Sequence, residues 1–366
     1  MVKEFCGMQI MLNSKEFKKG LECAYGIVGD KNILQQMKYF YFKTGPKFLY
    51  IIGTDANLTF MSKVNAVYDE FKERNFSIKA DILYTIIKAS ELETTLKIDR
   101  DKCDVSTENG RSKLLLGTED LNIDTKEFDF DIANADDCFD SDMLLYIMKS
   151  LTPILSKNSG NPQNHIIYVD GERIYASNES VMAYINHKSN RKYILKDKDA
   201  NCLIDILSDF PGKVYFKYIN NDTVVIVKTG DYTFTFRSYE DDEMPDISVY
   251  TALTGTLAVA VDKQEFIKKI SLSNQLSEDN SVEFVIDENS FVVRCNNNFG
   301  EESYYPIKIK KASINDSYTI KVPSSSIVSL AKIVRENILV LNFNVDYGII
   351  KLSDIQKKSI SVISGL

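Results

Sequence analysis

Three stretches, Phe76–Asp81 (FSIKAD), Lys192–Asp197 (KYILKD) and Tyr318–Pro323 (YTIKVP), open the same local pattern. In each, an extended run passes into a helix whose aliphatic residues stand three and four apart. They are Ile82 and Ile86, then Leu203, Ile206 and Leu207, then Ile327, Leu330, Ile333 and Val334. That spacing gathers them on one helical face. Alternating apolar and polar residues follow each time, which is the period of half-buried strands. Lys79, Lys196 and Lys321 mark equivalent places, and their separation of roughly 120 residues is the size of a small domain. A pattern written three times makes the chain a tandem array, expected to build a curved or ring-shaped body rather than one catalytic cleft.

The rest of the chain fits that frame. At 366 residues it is too long for one core and sufficient for two or three. Twenty Tyr and twenty Phe, among many Ile and Val, favour strands. Start, stop and turn signals predict helices over 14–28, 80–90, 141–155, 198–210, 262–272 and 324–336, with hairpin-like strands between them. The acidic stretch 136–142 and the segment 252–257 mark boundaries. The fold class is therefore α+β, with three tandem domains over 1–135, 136–253 and 254–366, each of two helices plus antiparallel sheets, the sheets outside one helical layer. Asp55, in the turn GTDAN, reads as an Asx-turn residue rather than a catalytic carboxylate.

Catalytic signatures are missing from the sequence. The two histidines, His165 and His187, sit in no metal-binding spacing. PGKVYF at 211–216 is a helix end followed by a strand, the reverse of a phosphate-cradling turn. No G-x-S-x-G elbow occurs. Six scattered cysteines without a CxxC pair point to reduced thiols, with neither a zinc ribbon nor a disulfide framework. The acidic run 240–246 reads as a solvated loop. An enzyme using it to hold a metal is a competing reading, as is a non-catalytic structural or interaction protein of tandem domains. No cofactor is expected. The longest apolar run, near 48–52, is far below a membrane span, and the first residues carry no secretory pattern, so the expected location is cytoplasmic.

Net charge is −8, which argues against simple adhesion to nucleic acid. The distribution matters more than the sum. Lys15, Lys18 and Lys19 lie on the first helix; Lys79 and Lys88 flank the second; Lys149 and Lys157 accompany the third; Lys196 and Lys198 open the fourth. Lys263, Lys268 and Lys269 belong to the fifth, and Lys332 and Arg335 to the sixth. Basic residues at corresponding places in three repeats imply one shared surface. Such a surface suits a polyanion held without reading bases, because phosphate contacts position but do not specify.

The order of elements and several segments resemble the bacterial DNA polymerase III beta sliding clamps. The segments are GTDANLTFMSKV (53–64), ENGRSKLLLGTEDL (108–121), MPDI (244–247) and SLSNQ (271–275). The resemblance implies half of a ring: a head-to-tail homodimer that encircles double-stranded DNA and tethers a DNA polymerase, loaded by a clamp loader. It adds Lys31 to the DNA-facing set and implies that Lys157 lies in a loop that approaches DNA. It implies a dimer contact of Leu114 and Leu116 against Ile270 and Leu272. It implies a partner-peptide pocket at Ser177, Glu179, Met182, Pro245, Tyr250, Ile360 and Val362. Glu179, Tyr250 and Ser364 depart from the family pattern, which marks a divergent member and fits a separate replication system such as a phage or mobile element.

Overall fold

A helix of this chain starts where a short strand stops. In the computed structural model, strand Met8–Asn13 runs straight into helix Ser14–Tyr25. Asn13 makes the junction, its side chain accepting hydrogen bonds from the backbone N of Lys15 (3.0 Å) and Glu16 (3.2 Å). This satisfies amides that the first helical turn leaves unpaired. Asp262 does the same between strand Leu257–Asp262 and helix Lys263–Ser273, accepting from Glu265 N at 2.9 Å. The structure describes residues 7–28, 34–55, 57–118, 130–155, 160–178, 181–219, 224–238, 247–248, 252, 255, 257–313, 317–344, 348–355 and 359–364.

Among the described residues that strand–helix junction, followed by three antiparallel strands, occurs six times. The helices are Ser14–Tyr25, Ala80–Lys88, Ser141–Leu151, Asp197–Asp209, Lys263–Ser273 and Ser324–Ile333. The sequence predicts three repeats of about 120 residues; the structure resolves each into two halves of one plan. The half-period is hidden because the first half of the first repeat carries the strand Tyr39–Thr44 (YFYFKT). Its burial pattern does not alternate, so it gives no period-2 signal.

Two compact units result, one formed by Met1–Leu145 with Asn201–Glu240, the other by Tyr146–Ala200 with Asp241–Leu366. The segment 136–253 contributes to both, for a reason visible in the strand pairing. In the first unit, strand Leu58–Tyr68 pairs antiparallel with Tyr232–Arg237, Phe60 opposite Phe234, within one twelve-stranded sheet. Its core carries Phe17, Phe40, Phe42, Phe60 and Leu83, all essentially inaccessible. Phe42 stacks on Phe76 with centroids 4.9 Å apart. Gly20 allows the close helix-to-sheet approach, since a Cβ there would fall 2.7 Å from both Ser62 Oγ and Ile51 Cδ1.

In the second unit, strand Val181–Asn186 pairs with Ser359–Ser364, Met182 opposite Val362, within a nine-stranded sheet. A four-stranded sheet ends in Glu302–Ile307. Phe266, Phe284, Phe291 and Phe343 form an aromatic core there, with Phe284 edge-on to Phe343.

Local differences from the sequence expectations have plain causes. The helix predicted over 141–155 ends at Leu151 and gives way to the 3-10 turn Thr152–Ile154, because Pro153 supplies no amide for a continuing helix. The strand predicted over 302–309 is two, Glu302–Ile307 and Ile309–Ser313, which join different sheets. Asp55 is an Asx-turn residue as expected, Oδ1 accepting from Asn57 N (3.1 Å) and Leu58 N (2.9 Å). Among the described residues no helix is long and apolar enough to cross a membrane.

Candidate functional site

The basic residues singled out in the sequence divide by what their side chains already touch. Lys15, Lys88, Lys149, Lys196, Lys198, Lys268, Lys332 and Arg335 are exposed. Lys18, Lys19 and Lys79 are half-buried. Lys19 Nζ lies 3.8 Å from the ring centroid of Phe210, and the Arg335 guanidinium 4.7 Å from that of Tyr146. Such contacts hold a cation against an aromatic face without removing its charge.

Lys263 is engaged within the fold. Its Nζ donates to the carbonyl of Val334 at 2.8 Å, just past the end of helix Ser324–Ile333. A cation there satisfies a terminal carbonyl and the negative end of the helix dipole, so this lysine helps to secure the helix end. Lys269 is likewise engaged, 2.5 Å from Glu265 Oε1 and donating to the Pro306 carbonyl. Lys31 and Lys157 lie outside the described residues.

Carboxylates share the helices of the first repeat. Tyr25 and Tyr84 stack at 4.4 Å, and their hydroxyls donate to Asp81 Oδ1 (3.0 Å) and Glu22 Oε1 (3.4 Å). Burial, reinforced by the Glu22 charge, raises the Tyr84 phenol above its ordinary value.

Gly110–Leu115 and Glu302–Ile307 are two of the strands that pair on one side only among the described residues. Gly110–Leu115 closes one end of the twelve-stranded sheet and pairs only with Lys102–Thr107. Arg111, Lys113 and Leu115 are exposed, whereas Ser112 and Leu114 are half-buried opposite the fully buried Val105 and Cys103. Burial drives the Cys103 thiol up to about 12. Arg111 sits 2.6 Å from Asp104, whose carboxyl it holds below the usual range. The second edge is Glu302–Ile307, paired only with Phe291–Asn296. Glu302, Tyr304 and Pro306 are exposed; Ser303 and Ile307 are buried. Long apolar edges recruit strands from other chains unless something covers them.

Of the dimer-contact residues named from the resemblance, Leu114, Leu116 and Leu272 are half-buried. Ile270 is 0% exposed, because it continues the inward stripe that begins at Phe266. The apolar side chains available near the edges are instead Leu115 (70% exposed), Tyr304 (67%) and Phe299 (87%), none of which the sequence singles out. Leu115 sits in the run Leu114–Leu116, where three identical residues carry no alternation to say which face each takes.

Of the candidate peptide-pocket positions, four come together. Ser177 stands opposite Met182, Met182 opposite Val362, and Tyr184 opposite Ile360 on three neighbouring strands. Met182 is nearly buried, packed in a cluster with Ile166, Tyr168, Tyr175, Tyr184 and Ile247. Tyr168 and Tyr175 stack at 5.1 Å, and burial pushes the Tyr184 phenol up to about 12. Glu179, Pro245 and Tyr250 lie outside the described residues, as does the acidic run 240–246. Among the described residues no group of three or more His, Cys, Asp and Glu side chains could hold a metal ion.

Solved structures match this architecture over nearly the whole chain. DNA polymerase III subunit beta from Pseudomonas aeruginosa superposes with a TM-score of 0.84 at 14% identity, covering 98% of this chain and 99% of that one. The chain has the sliding-clamp fold. The DNA polymerase sliding clamp from Bacillus subtilis gives 0.84 at 12% identity, and the DNA polymerase III beta subunit from Thermotoga maritima 0.79 at 17%, each over 98% of this chain and 99% of the other. No family model and no curated protein matches. The likeness to the sliding clamps is thus carried by topology: three tandem domains, each of two strand–helix–three-strand halves.

Proposed function

We propose that the protein is a DNA sliding clamp, a non-catalytic processivity factor that closes into a ring around duplex DNA as a head-to-tail homodimer and tethers a replicative polymerase. The observation that carries this reading is a joint used twice inside the chain and left open once. Strand Leu58–Tyr68, from the first half of the first repeat, pairs with Tyr232–Arg237, from the second half of the next. Val181–Asn186 pairs with Ser359–Ser364 in the same way. The remaining equivalents, Glu302–Ile307 and Gly110–Leu115, each end a sheet with one side unpaired among the described residues. Joining each to its counterpart on a second copy uses two different patches and closes a two-chain ring.

The edges are complementary in charge, Arg111 and Lys113 on one and Glu301 and Glu302 on the other. Leu114, Leu116 and Leu272 flank this joint in the proposal, and Ile270 is withdrawn from it. The exposed lysines of the helices would contact phosphates loosely, and polymerase binding at the Ser177–Met182–Val362 region would raise its effective concentration at the primer terminus. A clamp loader is the partner that would open the ring, and the location is cytoplasmic.

The test is topological. Protein assembled on a nicked circular plasmid should stay bound in high salt and be released when the plasmid is linearised. Primer extension on a primed circle with the cognate loader and polymerase should lengthen. Equal retention on circular and linear DNA would remove the encircling mechanism.

A further inference from the structure

The open joint has a definite register, and the internal joint supplies it. In the hairpin before strand Leu58–Tyr68, Asp55 N bonds Leu58 O at 3.1 Å and Thr59 is the next residue, opposite Thr54. In the hairpin before Glu302–Ile307, Asn297 N bonds Glu301 O at 3.0 Å and Glu302 is the next residue, opposite Asn296. Thr59 and Glu302 are therefore equivalent. On the other side of the joint, Tyr232 follows a two-residue turn and faces Thr229, just as Gly110 follows a two-residue turn and faces Thr107. Tyr232 and Gly110 are equivalent, which makes Thr235 the counterpart of Lys113. Inside the chain Thr59 is opposite Thr235 and Met61 is opposite Thr233.

Resting on the head-to-tail reading above, we infer that Lys113 stands directly opposite Glu302 of a second copy, with Arg111 opposite Tyr304 and Ser112 opposite Ser303. An independent property agrees. Residues directly opposed in an antiparallel pair share a face. In this register the exposed Lys113 and Arg111 meet the exposed Glu302 and Tyr304, and the half-buried Ser112 meets the buried Ser303. A slip of one residue would set Lys113 against buried Ser303 and reverse every side chain across the joint. The inferred register places a cation against a carboxylate and a guanidinium against a phenol on the solvent side. It also carries Leu115 toward the turn that holds Phe299, so the two most exposed apolar side chains near the edges approach each other. The Lys113–Glu302 contact selects the register, since edges rich in unpaired amides would otherwise tolerate slippage.

Full-length Lys113→Glu, Glu302→Lys and the double reversal, followed by sedimentation equilibrium in low salt, test the register. Both residues are exposed edge positions, so the fold should survive, and circular dichroism checks that it does. Each single reversal should raise the dimer dissociation constant by about tenfold, and the double reversal should return it to within about threefold of the parent. A second readout is oxidative cross-linking. Lys113→Cys with Glu302→Cys should give covalent dimers, whereas the slipped pair Ser112→Cys with Glu302→Cys should not, and single variants report the background from native thiols. A parent protein that stays monomeric at high concentration overturns the ring reading and this register with it. A stable dimer indifferent to single reversals, or cross-linked only by the slipped pair, overturns the register alone.

Discussion

Replacing Ile270 by alanine separates a core residue from an interface residue. Ile270 is 0% exposed on helix Lys263–Ser273, one turn beyond the buried Phe266. Truncation removes roughly three carbons, worth about 0.8 kcal/mol each in lost transfer free energy. The cavity left behind adds to that, for a total cost of about 3–4 kcal/mol. In a unit of this size each kcal/mol lowers Tm by about 2–4 °C, so the transition involving this unit should fall by about 6–16 °C. Differential scanning calorimetry reads that shift, and sedimentation equilibrium well below the transition reads self-association. The expected outcome is a lowered Tm with self-association little changed. An Ile270→Ala protein with the parental Tm and a weakened dimer would refute the assignment of this side chain to its own protomer's core.

Leu115→Asp should do the opposite, weakening the dimer by about tenfold or more with little loss of monomer stability, because a 70% exposed side chain contributes little to its own fold; analytical ultracentrifugation beside a thermal melt decides it. Replacing exposed Lys15, Lys88 and Lys268 together with Gln should flatten the salt dependence of duplex DNA binding, by about 0.9 in log–log slope for each lysine that contacts phosphate, measured by fluorescence anisotropy across a salt series. Met182→Ala should reduce pull-down of the cognate polymerase while the oligomeric state is kept; undiminished capture would refute the pocket. At alkaline pH the half-buried phenol of Tyr68 and the buried phenol of Tyr184, both pushed up to about 12, lose their protons in the unfolded chain before the folded one. Their contribution to stability is complete below about pH 10 and lost as pH rises toward 12, so urea midpoints should fall across that window and Tyr68→Phe should blunt the fall.

The legible part of the fold was the part encoded by local periodicity. Strands such as Lys213–Ile219 and Phe291–Asn296 begin and end where alternation and turn residues place them, and the inward stripe of helix Ser324–Ile333 reads directly from Ile327, Leu330 and Ile333. The six-fold plan was less visible, because Tyr39–Thr44 is buried without alternation. The placement of the candidate site residues was legible in proportion to how little it depends on distant chain. Ser177 and Met182 are close in sequence and meet across a hairpin. Lys263 gives no local sign of its contact, because helix Ser324–Ile333 brings the Val334 carbonyl to its Nζ from 71 positions away. The edge character of Leu115 and Tyr304 is a property of what is missing beside them, which no local pattern records.

The two joints inside the chain and the one proposed between copies have different consequences, because a peptide link spans only the first two. At the pairings Phe60–Phe234 and Met182–Val362, broken strand contacts leave both sides on one chain, and they re-form before the halves can drift apart. At Gly110–Leu115 and Glu302–Ile307 nothing covalent would hold the sides together. In the proposed ring, the gate through which DNA would enter is thereby decided by continuity of the polypeptide, since chemically similar seams elsewhere are on a leash.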